Sequence, residues 1–267
     1  MKFAIKPSSL AAACLVMASF AAQAASTTVQ SGSSVSAGGY TFSDLNGTGT
    51  LSFSSTLIGA LNAGGVDIQQ VDPAVATITR NSRGKYTAVS IAAPVTSLTG
   101  DLSGSSFAAT AVGTAGGALQ TTVDDGFTTT GGSLSITNLT VDLTAKKVYA
   151  TMIGGNGVGT INNLYLWDIA SITGPTTATV SEGVNTFSNT LSGLTINQPA
   201  FDLFAKSLGL TDAGKSALAT VTDFGKITST ISVTAKANTP TVPEPGTYAL
   251  MGLGLAAVGM VARRRAK

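Results

Sequence analysis

From Ala25 to about Asn238 the residue types favour strands and turns, with runs in which apolar and polar positions alternate. In "KITSTISVTAK", Ile227, Ser229, Ile231 and Val233 share one face, and Thr228, Thr230, Ser232 and Thr234 the other. That pattern predicts a half-buried strand rich in β-branched residues. "LTVDLTAKKVYATMI" predicts a hairpin, with Leu139, Val141 and Leu143 leading into a turn at Thr144–Lys147 and Val148 to Ile153 returning. "VATITRNSRGKYTAVSI" predicts a second hairpin around Asn81–Gly84, and "NNLYLWDIASI" a further strand. Glycine-rich "GTAGG", "TTTGGS" and "GGNGVG" separate these runs. No repeat of fixed period supports a solenoid or propeller. The expected fold is mainly β, an antiparallel β-sandwich-like domain.

One stretch changes period. In "QPAFDLFAKSLGLTDAGKSALATVTDFG", Phe201, Phe204, Ala205 and Leu208 have i, i+3, i+4, i+7 spacing, Pro199 lies in the first turn and Gly209 follows the last. Thr211 can cap a second short helix carrying Ala217, Leu218 and Val221. Helix is therefore expected mainly within 199–223. The same stretch contains "GLTDAGKS", Gly209–Ser216, which fits the phosphate-binding pattern G-x-x-x-x-G-K-[ST]. A phosphate-binding loop follows a buried strand, so that its amides and the next helix N-terminus converge on phosphate. An amphipathic helix precedes Gly209 instead, which makes Gly209 a helix terminator and Lys215 a solvated residue. No nucleotide is expected to bind.

Composition narrows the remaining chemistry. Charged residues are 10 % of the chain, aromatics 6 %, and there is no histidine. Six of the 15 basic residues, Lys2, Lys6, Arg263, Arg264, Arg265 and Lys267, lie at the two ends, leaving nine in the body. With Glu244 set aside, 12 of the 13 acidic residues remain there. The body is thus slightly acidic and carries no basic cluster, so no nucleic-acid partner is expected. Cys14 is the one cysteine and falls in the leader, so Ser–His and Cys–His nucleophiles are ruled out in the mature chain. Asp124-Asp125-Gly126 and Asp44-Leu45-Asn46-Gly47 offer too few oxygens for calcium and read as turns. No cofactor or metal is expected, and no catalytic residues are assigned. Two alternatives remain. Tyr165 and Trp167, two apart on one predicted strand face, would stack on sugar in a carbohydrate-binding module, although large aromatics usually belong to the core. A secreted hydrolase would need two of Asp124, Asp125, Asp142 and Asp168 within glycosidase range.

The ends carry targeting signals. Lys2 and Lys6, the apolar run Leu10 to Phe20 and Ala22-Gln23-Ala24 form a secretory signal peptide over residues 1–24, with the mature chain starting at Ala25. Cys14 does not suit lipoprotein processing, because the preceding "AAA" lacks the expected leucine. Past the domain at 25–238, a proline-containing linker covers 239–245. Gly246–Ala262 is uncharged and at the short limit for a membrane-spanning helix. Arg263, Arg264 and Arg265 then begin a basic tail, 263–267, that the positive-inside rule places in the cytoplasm.

Val242-Pro243-Glu244-Pro245, an apolar helix and an arginine cluster, in that order, resemble the PEP-CTERM sorting signal of Gram-negative bacteria. The resemblance is limited to residues 242–267. It implies that Pro243, Glu244 and Pro245 are the recognition element, that 246–262 holds the chain temporarily in the inner membrane, and that Arg263–Arg265 stop transfer. It implies signal peptidase and an exosortase-type transpeptidase as partners, and a cell-surface or extracellular destination associated with biofilm and exopolysaccharide. The expected function is therefore an exported, non-enzymatic surface or matrix protein.

Overall fold

The computed structural model describes residues 25–238, together with Leu250 and Leu253. The chain opens with β1 (Ala25–Gln30), β2 (Val35–Ala37) and the long β3 (Tyr40–Phe53), then α1 (Ser55–Ala63). β4 (Asp67–Val71), β5 (Val75–Arg80), β6 (Tyr86–Ser103), β7 (Ser106–Thr114) and β8 (Gly117–Thr122) follow. Next come β9 (Gly132–Asp142), β10 (Lys147–Gly154), β11 (Gly159–Thr173), β12 (Thr177–Thr179) and β13 (Gly183–Ile196). The described body ends with α2 (Gln198–Ser207), α3 (Asp212–Ala219) and β14 (Gly225–Ala237).

All strands join one antiparallel sheet, ordered β12-β7-β6-β3-β14-β13-β11-β10-β9-β8-β4, with β1 and β5 added to β6 and β2 added to β3. A short second pairing of β7, with Ala111 opposite Asp142, Val112 opposite Val141 and Gly113 opposite Thr140, joins β7 to β9. The sheet thereby closes through β7, β6, β3, β14, β13, β11, β10 and β9. The body is sandwich-like, as the alternation predicts, but its two layers are one continuous sheet. Closure removes two exposed edges that would otherwise invite pairing with another chain.

The predicted strands form for the predicted reason. In β14, Ile227, Ser229, Ile231 and Val233 are buried and the intervening side chains face outward. Buried Ser229 donates its hydroxyl to Asn189 Oδ1 at 2.5 Å, which satisfies a polar pair inside the core. Both hairpins are present, β9–β10 turning over 143–146 and β5–β6 over 81–85. α2 and α3 lie within the expected 199–223 region, apart from one residue at the start of α2. Asn197 caps α2 by accepting from the Ala200 amide at 3.0 Å, and Thr211 caps α3 by accepting from Gly214 at 3.3 Å.

Two expectations need correction. α1 is a third helix outside 199–223; Ser54 accepts from the Leu57 amide at 3.1 Å to start it, and Gly64 ends it. Asp44-Leu45-Asn46-Gly47 is no turn, because it lies inside β3. Asp44 has φ 53° and Gly47 φ 157°, and the register against β14 shifts there between Ser232 and Thr234. Turn-forming residues here make a β-bulge that bends a long strand.

The three helices cover one end of the closed sheet. At the other end, Phe42, Phe107 and Phe187 stack in sequence, with centroids 6.1 and 5.8 Å apart.

Candidate functional site

Two places in this fold bring chemistry together. The first lies on the solvent face of β9, β10 and β11. Lys147 is paired in register with Asp142 on one side and Asp168 on the other, and Tyr149 is paired with Tyr165. The two tyrosine rings lie 5.6 Å apart at 42°, and Lys147 Nζ sits 4.4 Å above the Tyr165 ring. Both tyrosines are half-buried. Burial, and next the hydrogen bond and negative charge of Asp168, push the Tyr165 hydroxyl up to about 12. Tyr165 therefore keeps its proton, and can donate a hydrogen bond, throughout the neutral range.

Trp167 does not belong to this face. Val148 pairs with Trp167 while Tyr149 pairs with Tyr165, so Leu166 is an extra residue on β11. This bulge turns Tyr165 outward and Trp167 inward, where it is 5 % exposed. The expectation that the two aromatics share one strand face is overturned. Tyr149, which strand alternation alone did not single out, takes the place expected of Trp167.

The second place is an apolar cavity of about 110 Å³ between the sheet and the three helices. α1 contributes Leu57 and Leu61, α2 Phe204, α3 Ala217 and Leu218, and the sheet wall includes Trp167. Half-buried Ala60 on α1 and Ala217 and Leu218 on α3 line it. None of the described lining residues is charged. An apolar void of this volume, left empty, costs roughly 2–3 kcal/mol in lost contacts. Trp167 Nε1 is buried with no hydrogen-bond partner among the described residues.

The remaining predicted features sit elsewhere. Gly209 has φ +61° just beyond α2, Thr211 starts α3, and exposed Lys215 lies 3.4 Å from Asp212 Oδ1. A helix therefore precedes the glycine where a phosphate-binding loop requires a strand. Asp124 and Asp125 form a turn, as expected. Asp125 Oδ1 accepts from the amides of Phe127, Thr128 and Thr129 at 2.9, 2.7 and 3.0 Å. A side-chain hydrogen bond from Thr128, followed by the backbone amides, holds its carboxyl well below the usual range. Asp142 Oδ1 accepts from Thr144 and Ala145 at 2.9 and 2.7 Å and closes the β9–β10 turn. Neither Asp142 nor Asp168 lines the cavity. Among the described residues, no three His, Cys, Asp or Glu side chains cluster as metal ligands.

Ala22 and Ala24, Pro243, Glu244 and Pro245, and Arg263, Arg264 and Arg265 lie outside the described residues; Ala25 opens β1. Among the described residues no helix is long and apolar enough to cross a membrane. The segment expected to do so, 246–262, lies outside them except for Leu250 and Leu253.

The body is thus a mainly β, sandwich-like domain capped by helices over an apolar cavity. The chain also carries the PEP-CTERM protein-sorting motif: residues 241–265 match the model of that motif, in agreement with the resemblance at 242–267. Among curated proteins, no sequence matches this chain. The crystal structure of the heme binding protein HtaB from Corynebacterium glutamicum is similar with a TM-score of 0.39 at 14 % identity, over 79 % of this chain and 98 % of that one. The C-terminal domain of HtaA from Corynebacterium glutamicum gives a TM-score of 0.39 at 11 % identity, over 71 % of this chain and 99 % of that one. Both values are too low to carry a fold or a ligand to this chain.

Proposed function

We propose that this chain is a non-enzymatic exported protein, released by exosortase-type processing to the cell surface or extracellular matrix. The match at 241–265 carries the reading. A PEP-CTERM signal implies export with processing at the membrane, and the predicted signal peptide at 1–24 fits that route. Physically, Pro243 and Pro245 keep the segment extended and free of backbone hydrogen bonding, so an enzyme can grip it, and Glu244 supplies one identifying charge. In a wild-type host the extracellular protein is expected to lack 246–267, and Glu244→Ala to leave uncut protein in the inner membrane. Intact mass spectrometry of both fractions checks this. Full-length protein outside a wild-type cell would overturn the reading, and normal processing of Glu244→Ala would overturn the role of that residue.

The Tyr149–Tyr165 face favours a second reading, carbohydrate binding. Two adjacent, half-buried rings flanked by Lys147 and Asp168 offer stacking surface beside hydrogen-bonding groups, the combination that holds a sugar ring. Tyr165→Ala is expected to weaken binding to the host's exopolysaccharide about tenfold or more, read by affinity electrophoresis. Equal migration of Tyr165→Ala and wild type in the polysaccharide gel would remove this reading and leave the sorting route untouched.

A further inference from the structure

We propose that the cavity beneath α1, α2 and α3 is a binding site for a short, uncharged alkyl chain. Three observations carry this. The first is the void itself. Buried apolar space of roughly 150 Å³ is known to stay dry and take up a molecule as small as benzene, and this cavity of about 110 Å³ is of that order. Small residues line it: Gly49 on the sheet side, Ala60 on α1 and Ala217 on α3. Larger side chains at these positions would fill the space and remove the loss of packing, so the cavity is a property of the residues chosen.

The second observation is the composition of the wall. Lining residues such as Leu51, Leu61, Ile136, Phe204 and Leu218 give an alkyl chain dispersion contacts on all sides. Among the described lining residues there is no Lys or Arg to pair a carboxylate or phosphate, and no Asp or Glu to pair an amine. A charged group drawn inside would be desolvated without compensation, so the ligand is neutral.

The third observation is Trp167. Its ring lines the cavity and packs on Phe224 with centroids 6.0 Å apart, so a molecule in the cavity lies against an aromatic side chain that reports its arrival.

Trp167 is the chain's one tryptophan, so its emission reports on this site alone. Titrating the purified protein with 1-hexanol is expected to change that emission saturably. At a hundredfold excess over Kd it should also raise the melting temperature by about 5–10 °C. Hexanoate at pH 7, with the same chain and a charged end, is expected to do neither. Ala217→Leu fills the cavity from α3 and is expected to melt no lower than wild type and to ignore hexanol. Ala60→Leu makes the same test from α1 if the first variant folds poorly. Absence of a saturable response in wild type, or an unchanged response in the filled variants, overturns the site. An equal response to hexanoate overturns the assignment of an uncharged ligand.

Discussion

Phe107→Ala is expected to lower the unfolding free energy by about 3–5 kcal/mol, the range for removing a large aromatic side chain from a packed core. Phe107 is 2 % exposed and sits between Phe42 and Phe187, with centroids 6.1 and 5.8 Å away. Each tilted aromatic pair adds about 0.5–1.5 kcal/mol beyond simple burial, and the truncation loses both pairs. The surroundings cannot easily collapse into the gap. Gly100 on β6 leaves room for the ring, and a Cβ there would stand 2.7 Å from the Ala108 carbonyl oxygen, so backbone confines the site. Phe107 also lies on β7, whose short pairing with β9 closes the sheet. A loss of this size is a large share of the ~5–15 kcal/mol that domains of this kind possess. Urea unfolding monitored by circular dichroism measures it, and a loss below about 1.5 kcal/mol would show that the surroundings of Phe107 do collapse into the gap.

How much of this could be read from the residues differs from element to element. β14 and the two hairpins were legible because period-two alternation is local, and burial in β14 follows it position by position. α2 and α3 were legible from spacing, from Pro199 and Gly209 at the two ends of the first helix, and from the cap Thr211. α1 had signals too, in the Ser54 cap, the spacing of Leu57 and Leu61, and Gly64-Gly65, but it is short and set among strand-like runs. The bulges were not legible. Asp44 to Gly47 has the residue types of a turn yet continues a strand, because β14 pairs with β3 both before and after it. One extra residue at Leu166 moved Trp167 to the core, and nothing local to "NNLYLWDIASI" announces it. Sheet closure and the cavity lie further out of reach. The β7–β9 pairing joins positions about thirty apart (Ala111 to Asp142), and the cavity wall is assembled from three helices and several strands. Such sites depend on long-range contacts that no periodicity records. The sorting motif is the reverse case, a contiguous signal read by an enzyme and not by the fold, so sequence alone revealed it.

Gly116→Ala is expected to cost about 3 kcal/mol or more, against about 1–2 kcal/mol for Gly126→Ala, and the difference between the two is the informative quantity. Both glycines have positive φ, +75° and +69°. Any L side chain placed there meets the left-handed penalty of about 1–2 kcal/mol. Gly126 is exposed in the loop before β9, and a Cβ there would meet nothing within 4 Å, so that penalty is its whole cost. Gly116 stands at the corner between β7 and β8, where a Cβ would lie 2.5 Å from Ala74 N, 2.6 Å from Val71 O and 2.8 Å from Pro73 N. Those atoms are backbone, and no side-chain rotation relieves the clash. The corner is also fixed from the other side, because Gly116 N–H donates to Asn138 Oδ1 at 3.2 Å and its carbonyl accepts from Asn138 N at 3.0 Å. Either the 71–74 loop moves away, breaking the Ala74–Val71 hydrogen bond of 3.2 Å, or the β7–β8 corner shifts and releases Asn138. Gly116 lines the cavity as well, so the same substitution is expected to reshape that wall and change the emission of Trp167. Paired urea titrations of the two variants decide the matter: equal losses would mean that the 71–74 loop yields freely and that the close approach at Gly116 contributes nothing beyond its backbone conformation.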